Sequence, residues 1–276
     1  MNNSRNPDSA DSAYTMGYSD EFLQLLDRRN AETNAAHLLV HLKPGMRVLD
    51  LGCGPGTISM GLAKAVDPGE VHGIDMEASQ IEIAQAAAAA GGHRNAVFRT
   101  GDATRLPYED GSFDAAHCHA LLMHVPDTDA VLAEVKRVLK PGGFISAREM
   151  IGSSSFSEPA FEALADAWVT FSKLLEANGS HPEMGKELPR RFLEAGFAVI
   201  HGSASFEYFG TPEDVAFYHN FSVAWFFAPN VVEAAVKHGL ATQEKFDNWR
   251  RLLDQWKDSP GAVSAIAWGE AVGQKP

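Results

Sequence analysis

Cysteine is scarce in this chain of 276 residues, which contains only Cys53 and Cys118. Two cysteines cannot form the multiple disulfides that hold small secreted domains together. We therefore expect both to be small, buried hydrophobic side chains. The sequence also shows no cluster of cysteine, histidine and carboxylate residues at metal-ligand spacing, so it predicts no bound metal.

Basic residues are few as well: 23 lysines and arginines stand against 36 acidic residues, and the formal net charge is −13. This balance disfavours nucleic acid and polyanionic substrates, whose phosphates must be neutralised by Lys and Arg. No apolar run reaches transmembrane length, and the polar first 15 residues lack the apolar core of a signal peptide. We expect a cytoplasmic protein with no membrane insertion.

Apolar runs that suit strands alternate with helical periodicity through the middle of the chain. Strands are predicted over 47–51, 71–75, 96–99, 113–118 and 143–149, with helices over 57–66, 78–90 and 127–139. Strands that alternate with helices indicate an α/β fold with a parallel sheet and right-handed crossovers. A glycine pair, Gly91 and Gly92, is expected to end the second helix.

The second half of the chain departs from this alternation. A helix over 156–178, a helix over 186–195 and strands over 197–208 and 265–272 are predicted, with an aromatic-rich insertion over 212–258. Its Phe and Trp residues suit both a helical core and an apolar pocket. Exposed aromatic side chains there would also suit a homodimer face. His181, Tyr218 and His219 could reach a substrate, but they are expected mainly on the surface.

The segment RVLDLGCGPG, residues 47–56, is the strongest functional signal. An apolar strand ends near Asp50 and turns through Gly52, Gly54 and Gly56, which lets the backbone approach a ligand closely. Dinucleotide-binding folds use the spacing G-x-G-x-x-G, whereas this turn reads G-x-G-x-G. The Asp50 carboxylate would repel a pyrophosphate and suits a cationic cofactor.

This segment resembles motif I of the class I S-adenosylmethionine-dependent methyltransferases. VHGIDM, GDATRLPYEDGSFD and RVLKPGGFISARE follow in the order and at the spacing of that family's other core segments. The resemblance covers roughly residues 36–150 and is nearest to the branch that includes the ubiquinone and menaquinone biosynthesis methyltransferases. It implies a Rossmann-like, seven-stranded, mostly parallel sheet with an antiparallel last strand.

The resemblance also implies site residues. Asp75 would accept the ribose hydroxyls, Asp102 the adenine amino group, and the Ala103 amide would face an adenine ring nitrogen. The implied cofactor contacts are Tyr18, Asp50, Gly52, Gly54, Gly56, Asp75, Met76, Gln80, Gly101, Asp102, Ala103 and His119. His124 is the candidate general base, and the alternative is a packing or capping role at the start of the helix at 127–139.

The same resemblance divides the chain. Residues 1–13 are expected to be a disordered tail, 14–45 N-terminal helices and 46–150 the cofactor-binding core. Residues 151–276 would complete the fold, with helical cap insertions near 156–180 and 212–258.

The expected activity is methyl transfer from S-adenosylmethionine to a small, mostly apolar or aromatic acceptor, with O-, N- and C-methylation left open. An NAD(P)-dependent oxidoreductase would need G-x-G-x-x-G and a catalytic Tyr-Lys or similar set. An inactive partner protein with the same fold would be expected to lose Asp50, Asp75 and Asp102, which are all present.

Overall fold

The computed structural model describes residues 20–276, with side chains from residue 23 onward. Within these residues the strands are β1 (Arg47–Leu51), β2 (Glu70–Asp75), β3 (Ala96–Thr100), β4 (Phe113–His119), β5 (Leu139–Met150), β6 (Phe156–Glu158), β7 (Ala198–Phe209) and β8 (Val263–Gln274). The helices are α1 (Asp20–Asp27), α2 (Ala31–Asn34), α3 (Ala36–Leu39), α4 (Thr57–Val66), α5 (Ala78–Gly91), α6 (Thr128–Val138), α7 (Glu162–Ala177), α8 (Met184–Glu194), α9 (Pro212–Trp225), α10 (Pro229–Lys237) and α11 (Gln243–Lys257).

The strands form one mixed sheet, which confirms the predicted α/β class. Strands β3, β2, β1, β4 and β5 lie side by side in that order and run parallel. Strand β8 is antiparallel and lies between β5 and β7, as expected for the last strand. The carboxyl ends of the parallel strands therefore meet at one edge, where open α/β sheets bind ligands.

The helix predicted over 156–178 is wrong at its start. Residues Phe156–Glu158 form β6, which pairs with β8, and α7 begins only at Glu162. Pro159 disfavours a helical conformation at the preceding residue and lacks a backbone N–H. Strand β5 ends at Met150 and leaves the first residues of β8 without a β5 partner. Strand β6 pairs with these residues, so the sheet has eight strands among the described residues rather than seven.

Strand β1 is buried on both faces, which explains its continuous apolar run. Val48 packs with α4, α2 and α3 on one face of the sheet, whereas Leu49 and Leu51 belong to the core on the other face, beside α6. Helix α5 stops where the glycine pair predicts, since Gly92 is left-handed and its N–H bonds to the carbonyls of Ala88 and Ala89.

The two insertions fold into helices: α7 in the first, and α9, α10 and α11 in the second. Thr211 begins α9 with a capping box that involves Asp214. Helix α1 is tied to α9 because Arg28 pairs with Asp214 and lies 4.5 Å from the ring centroid of Phe217. Helix α1 and the second insertion therefore pack against each other.

The described surface differs from one expectation. Every aromatic side chain of residues 212–258 is buried or half-buried, so the exposed aromatic face proposed for a homodimer is not present there. Cys53 and Cys118 are both free and buried, as expected. No helix in the described part of the chain is long and apolar enough to cross a membrane.

Candidate active site

The glycine turn after β1 has the backbone conformation that its sequence predicts. Gly52, Gly54 and Gly56 have φ angles of 64°, 51° and 80°, which side chains rarely adopt. A Cβ at Gly52 would lie 3.0 Å from Leu121, whereas a Cβ at Gly54 would meet no atom closer than 3.8 Å. The turn thus presents bare backbone to the open space beside Gly54.

Gly56, the N-cap of α4, is expected to tolerate no side chain. A Cβ there would lie 2.8 Å from the ring of Phe98 and 3.1 Å from Ala84, in addition to the strain of its positive φ. Gly56→Ala should lower the free energy of unfolding by about 2–3 kcal/mol, measured by urea denaturation. Gly92→Ala is the control, because Gly92 has a similar φ of 73° with no atom within 4 Å. Equal losses in both variants would contradict the packing explanation.

Asp75 ends β2 directly beside this turn. Its Oδ2 accepts the Gly54 N–H and its Oδ1 accepts the Glu77 N–H, each at 2.9 Å. Burial raises the pKa of this carboxyl, and the two N–H donors oppose that rise. The buried Gln80 Oε1 has no hydrogen-bond partner among residues 20–276 and lies 4.0 Å from the position of a Cβ on Gly54. The side of the glycine turn next to Asp75 therefore offers acceptor oxygens.

The next predicted residues lie around the same strand ends. The Gly101 N–H donates to the carbonyl oxygen of Asp75 at 2.9 Å, which brings the segment after β3 next to the end of β2. Asp102 Oδ1 accepts from the Thr104 N–H and hydroxyl, each at 2.8 Å, and Ala103 is buried.

One of the predicted cofactor residues is placed less favourably. Met76 is 74% exposed, so only the outer rim of a site is within its reach. Tyr18 lies outside the described residues.

Asp50 lies behind the turn in a small recess of about 310 Å³, which Arg29 and His119 also line. The Asp50 side chain is buried and accepts a hydrogen bond from the Ser59 hydroxyl. Burial raises its pKa to about 7. The recess combines a carboxyl group and a guanidinium group.

The segment after β4 carries the two predicted histidines. His119 is buried, its ring centroid lies 4.7 Å from that of Trp268 with the two rings tilted by 35°, and neither ring nitrogen has a partner within the described chain. His119 and His124 both line one larger cleft beside the glycine turn. Burial, assisted by the charge of Arg29, lowers its pKa to about 4, so its imidazole is neutral at pH 7. Ala120, between them, has a φ of 51°, which is rare for a non-glycine residue.

Glu149 holds this segment in place, a role that the sequence did not reveal. Its Oε1 accepts the N–H groups of Leu121 and Leu122, and its Oε2 accepts that of Met123, at 2.9–3.1 Å. Glu149 is completely buried near the end of β5, next to β4 in the sheet. The one available signal was a glutamate in an otherwise buried strand, because charged residues are rarely fully buried without partners.

A cleft with an empty volume of about 1200 Å³, partly open to solvent, joins these elements. Its lining includes Gly52 and Gly54 of the glycine turn, Asp75 at the end of β2, and His119 and His124 from the end of β4 and the segment that follows it. The aromatic side chains that line it are Phe156, Trp168, Phe171, Tyr218, Phe221, Trp225 and Trp268. Both insertions therefore contribute to the pocket wall, as their composition predicted.

The sequence predicts surface positions for His181, Tyr218 and His219, and the prediction is wrong for Tyr218 and His219. Tyr218 is 8% exposed and lines the cleft, and His219 is 5% exposed and contacts Asp254 Oδ1 through Nε2 at 2.7 Å. Both lie on α9 where it packs against other elements, which a helical period in one sequence does not show. His181 is exposed, as expected. Among residues 20–276 no three His, Cys, Asp or Glu side chains lie where they would hold a metal ion.

Comparison with known proteins identifies what this architecture resembles. Residues 42–192 match the family described as methyltransferase domain. An uncharacterized methyltransferase of Schizosaccharomyces pombe is 34% identical over 64% of this chain and 66% of its own length. A demethylmenaquinone methyltransferase of Bacillus pumilus is 34% identical over 59% of this chain and 75% of its own length. The solved structure of an S-adenosylmethionine-dependent methyltransferase from Methanosarcina mazei is alike in fold, with a TM-score of 0.54 at 20% identity, covering 86% of this chain and 97% of that one.

Proposed function

This chain belongs to the methyltransferase-domain family and is an S-adenosylmethionine-dependent methyltransferase; on that premise we propose that its acceptor is a small, mostly apolar or aromatic molecule. The observation that carries the proposal is the continuous cleft between the glycine turn and the aromatic cap. A cleft whose walls are mainly apolar, with seven Phe, Tyr and Trp side chains and the hydroxyls of Ser155, Ser157, Ser172 and Ser222 among them, suits a mostly apolar molecule of moderate size.

The cofactor end of the cleft fits S-adenosylmethionine. The Asp75 carboxylate, which lines the cleft, suits donors such as ribose hydroxyls. The recess that contains Asp50 and Arg29 suits an amino acid, since a carboxyl can receive its ammonium group and a guanidinium its carboxylate. The bound cofactor supplies a sulfonium methyl group that is already activated for transfer.

The residues of this chain would then orient the acceptor and exclude water. In the transfer the acceptor atom would form a bond to the methyl carbon while the carbon–sulfur bond breaks, and the electron pair of the broken bond would stay on sulfur. Where the acceptor atom carries a proton, an imidazole nitrogen of His124 receives it; the imidazole is neutral at pH 7, and the burial that lowers its pKa to about 4 also makes it a weaker base than an ordinary histidine. Replacement of His124 by Asn should lower kcat by about 10²-fold with an unchanged KM for the cofactor, measured by initial rates. An unchanged kcat would show that the acceptor needs no base.

Cofactor binding is tested by calorimetric titration with S-adenosylhomocysteine. Wild-type protein should bind it, and Asp75→Ala should weaken binding at least about tenfold because hydrogen bonds to a charged carboxylate are lost. Glu82→Ala, which removes an exposed carboxylate from α5, is the matched control and should bind normally. NAD should not bind. Absence of S-adenosylhomocysteine binding, or binding of NAD instead, would contradict the proposal and favour an oxidoreductase or an inactive relative.

A further inference from the structure

Strand β7 forms a long free edge of the sheet. It pairs with β8 along one side, and no strand among residues 20–276 pairs with its other side. After a bulge between Val199 and His201, its register with β8 continues without interruption to Phe209. The main-chain N–H and C=O groups of a strand point alternately to its two sides, so β7 presents a row of donors and acceptors to a further strand.

The composition of β7 does not block such pairing. Exposed edges are ordinarily protected by lysine, by proline or by the shortness of the strand. Strand β7 is 12 residues long, contains no lysine, arginine or proline, and has Glu207 as its one acidic residue. Its Phe206 and Tyr208 side chains are 54% and 56% exposed. A long edge with exposed aromatic side chains and little charge favours association with another strand.

The other terminal strands of the same sheet are protected. Strand β3 is 5 residues long and carries the exposed Arg99. The Gln85 amide of α5 also donates to the main-chain carbonyl of Phe98 in β3 at 3.0 Å. Strand β6 is 3 residues long and is followed by Pro159. The protection that β7 lacks is therefore present elsewhere in the sheet, which indicates a specific use for the β7 edge.

The polar side chains of β7 are complementary to a second copy of the strand. In an antiparallel pair centred on Ala204, Ser203 of one copy lies opposite Ser205 of the other. His201 then lies opposite Glu207, and alternate residues of a strand share one face, so these pairs meet on the same side of the sheet. An imidazole N–H can donate to a carboxylate, and opposed pairs of this kind stabilise antiparallel strands.

The other face of the strand is complementary in shape. The same pairing places the exposed Phe206 opposite Gly202 of the second copy. A Cβ on Gly202 would meet no atom within 4 Å, so the space over this glycine is open. An aromatic ring opposite a strand glycine covers the exposed main chain, and twofold symmetry would repeat the contact.

We infer that β7 is a homodimer surface, at which two copies of this chain pair antiparallel about a twofold axis at Ala204 and join their sheets into one. The contact uses the same patch on both copies, so it closes with two chains and leaves no free β7 edge. Strands β8, β5 and β4 separate β7 from β1, which leads into the glycine turn. The dimer therefore leaves the turn open, and this inference does not depend on methyl transfer.

Sedimentation equilibrium of the full chain at about 1–100 μM should show monomers and dimers that exchange with concentration. Ala204→Lys places two cations opposite each other at the axis and should weaken dimerisation at least about tenfold. Val97→Lys is the matched control, because Val97 is 44% exposed on β3 at the other edge. It should dimerise like the wild type, and both variants should still bind S-adenosylhomocysteine, which shows that they are folded.

Ala204→Cys tests the register. Directly opposed residues of an antiparallel pair have Cβ atoms about 4.5–5.5 Å apart, so a small adjustment lets two such cysteines form a disulfide. This variant should give a disulfide-linked dimer on oxidation, whereas Val97→Cys and the wild type, whose Cys53 and Cys118 are buried, should not.

Three results would overturn the homodimer: a wild type that is monomeric at every concentration, growth into species larger than a dimer, and a dimer that Ala204→Lys leaves intact. Disruption by Ala204→Lys without a disulfide in Ala204→Cys would overturn the placement of the axis at Ala204.

Discussion

Glu149→Leu is expected to lower the free energy of unfolding by about 3–5 kcal/mol and kcat by about 10²-fold. The leucine side chain offers no acceptor to the three N–H groups of residues 121–123, which would then be buried without partners. His124 follows these residues directly and would lose its fixed position beside the cleft. Urea denaturation and steady-state rates measure the two losses separately.

Glu149→Gln separates the positioning role from bulk stability. Glutamine keeps one acceptor oxygen but turns an amide NH₂ toward the donors, so kcat should fall with a smaller loss of stability. Glu134→Gln is the matched control, since Glu134 also accepts a backbone N–H, from Leu106 at 2.8 Å, but does not line the cleft. A normal kcat in Glu149→Gln would contradict the role assigned to Glu149.

The pH profile gives an independent test of the same residue. Burial raises the pKa of Glu149 to about 7, although its three N–H donors and the charge of Arg29 oppose that rise. Below this pH the carboxyl gains a proton and accepts the three donors less well, so kcat should fall as the pH drops through 7. Glu149→Gln, which is neutral at every pH, should lose this part of the acid limb. Any contribution of Asp50, whose pKa is also about 7, remains in both proteins.

Arg148→Met is expected to lower the free energy of unfolding by about 3–5 kcal/mol. Arg148 and Glu270 are paired opposite each other across β5 and β8, and their side chains are 4% and 10% exposed. Arg148 Nε donates to Glu270 Oε1 at 3.1 Å, and its guanidinium lies 4.6 Å from the ring centroid of Trp268. Removal of the cation would leave a nearly buried carboxylate whose hydrogen-bond donors within residues 20–276 are the hydroxyls of Ser203 and Ser205.

A double-mutant cycle shows whether this loss comes from the unpaired charge. The double variant Arg148→Met with Glu270→Met removes both charges and should recover most of the stability that Arg148→Met loses. Urea denaturation of the four proteins gives the coupling energy. Additive losses, with no recovery in the double variant, would show that packing of the Arg148 side chain on Trp268 matters more than its charge.

The central sheet could be predicted from the sequence because its signals are local. Strand β1 and helix α4 have the predicted bounds, and the remaining core elements differ by a few residues, since apolar runs, glycines and helical periods act over short distances. The glycine turn adopts its left-handed conformations for the same reason. The position of Asp75 beside the turn could also be predicted, because the adjacent parallel strands β1 and β2 end at the same edge of the sheet. These local features bring the glycine turn and Asp75, both predicted cofactor contacts, together at the cleft.

The acceptor side could not be predicted in this way. Strand β6 depends on a free edge of β8 more than a hundred residues later in the chain. Tyr218 and His219 are buried because α9 packs on other elements of the cap, and helical periodicity does not specify which neighbours a helix will have.

The sequence by itself determined the parallel core, the glycine turn and the acidic residues at the strand ends, because neighbouring residues encode each of them. Only the tertiary structure decided that Glu149 holds the segment that carries His124, and that Trp168, Trp225 and Trp268 line one cleft. Those relations join residues from β4, β5, α7, α9 and β8. They arise from packing between distant segments, which no local pattern records.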